Sequence, residues 1–281
     1  MLRVLAPLLI LTVMIQGQHV AWAQEFAIPF LPNGELRLST GVDMSSGDYG
    51  DSEDTDILYV PFTVTYLLDG FSLTPSEGDQ IAFRVVVPYV RIRGPGSVVE
   101  GSSGALPTRA VGSSDQTDEG LGDIILRTNY SFAPPTTSRL PFFEISGKVK
   151  IPTADEDARL GTGETDVTIE FTTSKRLGSF SPFATVGYSW MGDSSQHHLR
   201  NRRLASLGMS YRFSQRWSAG LIFDWREAAS ASAEDSRELV PYASIQLGRR
   251  LRLQPYGVVG LSDGSPNLGF GLQMRVSIPV Q

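Results

Sequence analysis

Twelve stretches of this chain alternate apolar with polar side chains at a period of two, and the connections between them switch between long acidic loops and tight turns. Successive side chains of a strand point to opposite faces, so each stretch makes a ribbon with one apolar and one polar side. An even set of such ribbons without helices between them has two ways to hide its apolar faces. It can turn them inward, as a soluble sandwich or lipocalin-like barrel does, or outward to lipid, as an outer-membrane β-barrel does.

The clearest ribbon sets Val167, Ile169 and Phe171 against Asp166, Thr168 and Glu170. Its neighbours repeat the pattern. Ile145, Val149 and Ile151 oppose Glu144, Ser146, Lys148 and Lys150, and Ile124, Leu126, Tyr130 and Phe132 oppose Arg127, Asn129 and Ser131. Near the end, Leu268, Phe270, Leu272, Met274, Val276 and Ile278 form a row long enough to cross a bilayer. The other strands are predicted near 34–44, 55–68, 79–93, 181–192, 201–213, 215–227, 237–248 and 250–262.

If both ends of the barrel chain lie on one side, every second connection lies on the other. The odd connections run through 45–54, 94–119, 154–162, 193–200, 228–236 and 263–265, most of them long and rich in Gly, Ser and Asp. Among the even ones, 178–180 and the turns at Ser214 and Arg249 are short, while 69–78 and 133–139 are longer and carry proline. Long outer loops and short periplasmic turns are the asymmetry of an up-and-down transmembrane barrel.

The first residues set the compartment. Arg3 precedes an apolar run from Val4 to Ile15, and Ala21, Trp22 and Ala23 before Gln24 form a small-x-small cleavage pattern. The run is shorter than the ~18 residues wanted for a transmembrane helix. The expected organisation is a signal peptide over 1–23 and one β-barrel over 24–281.

An arginine or lysine on the lipid face costs about 2–4 kcal/mol at mid-membrane and about 0–1 near the interface. The proposed outer rows carry charge only at strand ends, at Arg91, Lys175 and Arg249. Aromatic side chains gather at the same levels, with Tyr66, Phe132, Phe143, Phe213 and Trp217 toward one interface and Tyr89, Trp190 and Trp225 toward the other. Prolines break the regularity, because a closed barrel has no edge to receive them. Pro61 falls beside Pro88 and Pro241 beside Pro255, and Pro152 ends a strand. Each marks a bulge, or else the Pro61/Pro88 pair loosens two adjacent strands into a lateral gap toward lipid.

Chemistry has few carriers. The chain has no cysteine, which excludes disulfides and thiolate sites, and 24 Lys and Arg against 30 Asp and Glu give a net charge of −6, the wrong sign for a nucleic-acid partner. Beyond the leader the histidines are His197 and His198, adjacent in a Gly/Asp/Ser loop, and no strand-borne histidine has a serine two residues on, as in barrel phospholipases. Gly161, Thr162 and Gly163 lack the Lys-Ser/Thr and the helix of a phosphate cradle. Asp155, Glu156 and Asp157 read as a solvated acidic loop before a cation site. No catalytic residue, cofactor or metal is therefore assigned.

What remains is the lumen. With the apolar rows on lipid, Arg37, Arg84, Arg127, Arg212, Arg252, Arg275, Lys148 and Lys150 point inward together with Glu144, Asp166, Glu170 and Asp224. They either pair to fill the interior or face a solute path, as selectivity rings do.

Two blocks carry a resemblance. Gly120-Leu-Gly-Asp-Ile124, then Lys148-Val-Lys-Ile-Pro-Thr153 with Leu160-Gly-Thr-Gly163 and Asp166, resemble the transporter family named for the meta-pathway of phenol degradation, over nearly the whole chain after the leader. The resemblance implies an outer-membrane barrel passing small hydrophobic or aromatic compounds. Pro152-Thr153 and Leu160-Gly-Thr-Gly163 fall at the extracellular ends of two adjacent strands and are expected to shape the outer mouth. Ala154-Asp155 stands where the family has Gly-Asp, and the chain ends Ile278-Pro-Val-Gln281 and not on an aromatic residue, leaving Gly271, Met274, Val276 and Ile278 as the assembly signal. The expectation is a monomeric, all-β, antiparallel barrel of about 12 strands. Its partners would be the lipid bilayer and lipopolysaccharide, a small hydrophobic or aromatic solute and the outer-membrane assembly machinery. A non-transporting structural or surface-interaction barrel and a barrel-embedded lipid hydrolase are the alternatives.

Overall fold

The computed structural model describes residues 32–49, 53–69, 71, 73, 79–95, 116–132, 134, 140–192, 199–231 and 233–280. The predicted signal peptide and the His197/His198 pair lie outside them. No helix among the described residues is long and apolar enough to cross a membrane.

The described residues form thirteen strands: β1 (Gly34–Gly47), β2 (Thr55–Leu68), β3 (Gln80–Arg93), β4 (Thr117–Leu121), β5 (Ile124–Phe132), β6 (Phe142–Ile151), β7 (Asp166–Ser174), β8 (Phe180–Trp190), β9 (Arg202–Arg212), β10 (Trp217–Arg226), β11 (Ser236–Gln246), β12 (Leu251–Gly260) and β13 (Leu268–Val280). They form one antiparallel sheet in which β1 pairs with both β2 and β13, closing the barrel from Gly34↔Val280 to Ser46↔Leu268.

Thirteen strands make twelve staves, because β4 and β5 share one. β3 pairs with β5 up to Val86↔Ile125 and with β4 from Tyr89↔Leu121, so three residues, Gly122, Asp123 and Ile124, oppose two. That mismatch is a bulge, and it re-aims the outer end of the stave. The sequence reading placed 117–119 in the preceding loop. Its acids gave no alternation, and pairing with β3 makes the strand.

The turns at the end holding Gly34 and Val280 are short for local reasons. Gly178 takes φ +67° in a two-residue hairpin between Leu177 and Phe180, a conformation a Cβ would oppose. Ser214 Oγ accepts the amides of Arg216 and Trp217 at 3.2 and 3.1 Å and fixes the β9–β10 turn.

The apolar rows face outward. Leu207, Phe270, Phe62, Val186 and Leu272 are each half exposed or more, and together with Ile169 and Met209 they form a belt. Such a continuous apolar girdle is costly in water and stable in hydrocarbon. Edge-to-face rings border it: Phe180, Tyr211 and Phe213 at the short-turn end and Tyr188 with Trp190 at the loop end, with centroids 4.9–5.0 Å apart.

Inside, polar side chains satisfy one another across strands, as Thr168 does with Ser189 at 2.7 Å and Thr172 with Thr185 at 2.9 Å. In the β8–β13 half, three rings lie over glycines directly opposite them: Phe183 over Gly208, Tyr242 over Gly220 and Tyr256 over Gly271. A Cβ at any of the three would strike the ring, so the glycines let aromatic bulk fill that half.

Candidate functional site

The outer end of the lumen is built by the segment between β6 and β7. It was expected as an extracellular loop, and it turns into the barrel. Leu160 is 2% exposed and packs among Tyr49, Ile57, Tyr59, Val90 and Ile92, with Ala154 and Ala158 beside it. Burial pushes the Tyr49 phenol up to about 12 while its oxygen keeps a 3.0 Å bond to Ser45.

A buried cation holds that segment. Lys150 Nζ lies 2.7 Å from Asp166, 3.4 Å from Asp123 and 2.7 Å from the Thr162 hydroxyl. Asp123 Oδ1 in turn accepts the amides of Thr153 and Ala154, both at 3.0 Å, and Thr153 Oγ1 accepts the Ile124 amide. A Cβ on Gly161 would lie 2.7 Å from both Ala154 Cβ and Asp123 Oδ2, so only glycine lets the chain pass. The two sequence blocks singled out above therefore converge on one knot. Arg159, at φ +58°, adds a 2.6 Å ion pair to Asp118 and donates to the Gly94 carbonyl.

Of the inward residues predicted from sequence, Lys150 and Asp166 thus sit in the mouth. Deeper, Arg127 makes a 2.5 Å ion pair with Glu170 and a 2.9 Å bond to Ser146. Glu144 accepts from Asn129 and Ser131 at 2.7 and 2.9 Å. Asp224 lies on the other wall, bonded to Ser206 and paired with Arg226 at 2.7 Å, which also reaches Glu238 at 3.5 Å. Arg212 and Arg252 are exposed toward the short-turn end, where Arg252 donates to Gln246.

Cations, among them Arg127 and the Arg37 that pairs with Glu35 at 2.5 Å, form a row across adjacent staves. Arg37 opposes Thr65, Thr65 opposes Arg84, Arg84 opposes Arg127, and Arg127 opposes Lys148. Arg275 opposes Arg252. Around Arg84, Arg127, Lys148 and Arg275 lies a cavity of about 220 Å³ whose other lining includes Pro61, Val86 and Ile125.

Sequence reading missed Leu160, Asp123 and Thr162, although all three lie in blocks it had marked. It also missed Asp43, which is buried with neither carboxylate oxygen hydrogen-bonded and lies opposite Gly271. The Asp155 carboxylate accepts the amides of Asp157 and Ala158 as a turn, and no group of three or more metal-ligating side chains occurs among the described residues.

Pro61 and Pro88 are direct partners, and the β2–β3 register runs on from Asp56↔Arg93 to Leu68↔Ile81 past both. The Pro88 carbonyl accepts from Gly122, so Pro88 faces its missing donor toward the β4/β5 stave. By the same alternation Pro61 faces β1, where pairing stops at Thr40↔Phe62 and resumes at Asp43↔Tyr59. The interruptions therefore flank the proline pair. Pro241 sits against Gly257, not beside Pro255, because Tyr242 is in register with Tyr256.

The sequence model of the family described as "Putative MetA-pathway of phenol degradation" matches residues 46–278. A crystal structure of an outer membrane channel from Pseudomonas putida F1 superposes with a TM-score of 0.65 at 17% identity, covering 88% of this chain and 96% of that one. The toluene transporter of Ralstonia pickettii gives 0.45 at 9% identity over 90% and 91%. At such identities the first of these likenesses speaks to the fold. No curated protein sequence matches.

Proposed function

The chain belongs to the family of the meta-pathway of phenol degradation, and from that premise we propose that it is an outer-membrane channel for passive passage of small hydrophobic or aromatic compounds, not an enzyme. One observation carries the reading: a closed barrel with its apolar belt outside encloses a lumen of charged side chains around a cavity of about 220 Å³. A wall of that kind, apolar toward lipid and polar within, has the organisation of a barrel pore. The path runs along the inward rows of β13 and β1–β6, whose side chains line the cavity, because the rings of Phe183, Tyr242 and Tyr256 fill the other side.

One chain closes its own barrel, so a monomer is sufficient. The mature protein begins at Gln24, which N-terminal sequencing of material recovered from outer membranes tests. Lipid contacts the belt, and lipopolysaccharide meets its outer rim. For transport, purified mature protein is placed in lipopolysaccharide-containing vesicles, and entry of phenol and of a small sugar is followed. Entry of phenol above the protein-free rate is expected. Protein-containing vesicles no leakier than empty ones to either solute would leave a structural barrel as the better description.

A further inference from the structure

The row of cations in the lumen is unusual as a structural device. Like charges directly opposite across strands repel, and Arg84 faces Arg127, Arg127 faces Lys148, and Arg252 faces Arg275. A wall needing only to fill space would gain from replacing one member of each pair with a neutral residue or an acid.

Carboxylates balance part of the row and leave the cavity itself basic. Glu170 is committed to Arg127 and Ser146, and Glu144 to Asn129 and Ser131. Arg84 donates to a hydroxyl, that of Thr65, at 3.3 Å. Among the described residues neither Arg84 nor Arg275 has a carboxylate within ion-pair distance, and no acid lines the cavity that both of them border. Guanidinium groups present a planar fork of donors that matches a carboxylate, and the match is stronger where water is scarce. The same cavity has an apolar side, formed by Pro61, Val86 and Ile125. At about 220 Å³ it has room for several waters or one small ring.

We propose that this cavity is a binding site for small organic acids, with the carboxylate held by Arg84 and Arg275 and the apolar body against Pro61, Val86 and Ile125. The inference rests on the channel reading and sharpens it: the favoured solutes are amphipathic anions, and neutral aromatics pass without this anchor. The site is a selectivity filter for charge sign, because a cation of the same size meets the guanidinium groups of Arg84 and Arg275 with no acid in the lining to offset them.

The test uses the mature barrel in planar bilayers and in vesicles at neutral pH. In a salt gradient the reversal potential is expected to show chloride more permeant than potassium, and benzoate on either side is expected to reduce the chloride current reversibly. Vesicle entry is expected to be severalfold faster for benzoate than for benzylamine, with phenol between them. Arg84→Gln with Arg275→Gln is expected to abolish the benzoate preference, Arg84→Lys to keep most of it, and Arg203→Gln, on the outer rim, to change nothing. Heat-dependent gel mobility reports that each variant is folded, and the benzoate block on the wild-type barrel needs no variant. Passage of phenol with equal benzoate and benzylamine rates and no block overturns the anion site alone. Absence of any conductance or solute entry overturns the channel reading and this site with it.

Discussion

Pro61 and Pro88 are cross-strand partners, yet the β2–β3 ladder continues through them, because each turns its donorless nitrogen away from the other. The weak points of the wall are therefore beside the pair, one toward β1 and one at the Gly122–Asp123 bulge. A lateral exit for an apolar solute would open there. Thr40 and Phe62 are the last partners before the interruption on the β1 side, and the chain has no cysteine to interfere. Thr40→Cys with Phe62→Cys, oxidised to a disulfide, is expected to slow phenol entry severalfold, with recovery on reduction. An unchanged rate would send the solute out through the short-turn end instead.

The knot around Lys150 should be a major stabilising element of the outer mouth. Removing one partner of a buried ion pair leaves the others uncompensated and costs about 3–5 kcal/mol. Lys150→Met is expected to destabilise the barrel by roughly that amount in urea unfolding followed by tryptophan fluorescence. It should also free the segment that carries Arg159, so trypsin cuts there in folded Lys150→Met barrels and spares the parent.

Leu160 is the apolar plug of the same segment. Because these contacts tie down a loop and not a stave, the expected readout of Leu160→Ala is functional, namely a higher single-channel conductance with little change in the unfolding midpoint. Conductance equal to the parent would mean that the plug does not limit flow.

The two faces of a stave predict opposite tolerances. Leu207→Arg places a cation in the middle of the lipid face of β9 and is expected to cost about 2–4 kcal/mol on folding into vesicles, whereas Phe213→Arg, at the interface, should cost about 0–1. Equal costs at the two positions would contradict the placement of the belt.

Burial of the Tyr49 phenol among Ile57, Val90 and Leu160 makes its ionisation a reporter of the closed mouth. Its folded value, about 12, lies above the ordinary 10.0 of an exposed phenol. The neutral phenol is thus favoured by the fold, and that preference begins to be lost as pH rises past the unfolded value. The difference spectrum of wild type minus Tyr49→Phe is expected to show no phenolate absorbance at pH 10. Half-ionisation at that pH would mean an open, hydrated mouth.

The staves, their sidedness and the inward charges were legible in the sequence, because lipid outside and polar lumen inside impose one rule on every second residue. Glu144, Lys148 and Glu170 could be placed from that rule alone. The inward turn of the β6–β7 segment was not legible in the same way. Leu160 lies in a stretch without periodicity, and its burial depends on Tyr49, Ile57 and Val90, which come from distant parts of the chain. β4 was hidden because Asp118 and Glu119 obscure alternation, and only the outer end of β3 makes it a strand. The direction in which a proline withholds its donor depends on ladder phase, which the sequence does not display.

Every ladder in the barrel joins staves that follow one another in the chain, with β4 and β5 counted as one, save the seam between β1 and β13. Hairpins form at small loop-closure cost, but the seam must bring Gly34 to Val280. Until that contact forms, the two terminal strands are bare edges, each offering a full row of unpaired amides and carbonyls to any other sheet. The acid test of this chain in a cell is therefore kinetic. Whatever escorts it to the membrane must shield one pair of edges through one slow step, and after closure the barrel has no edge left to protect.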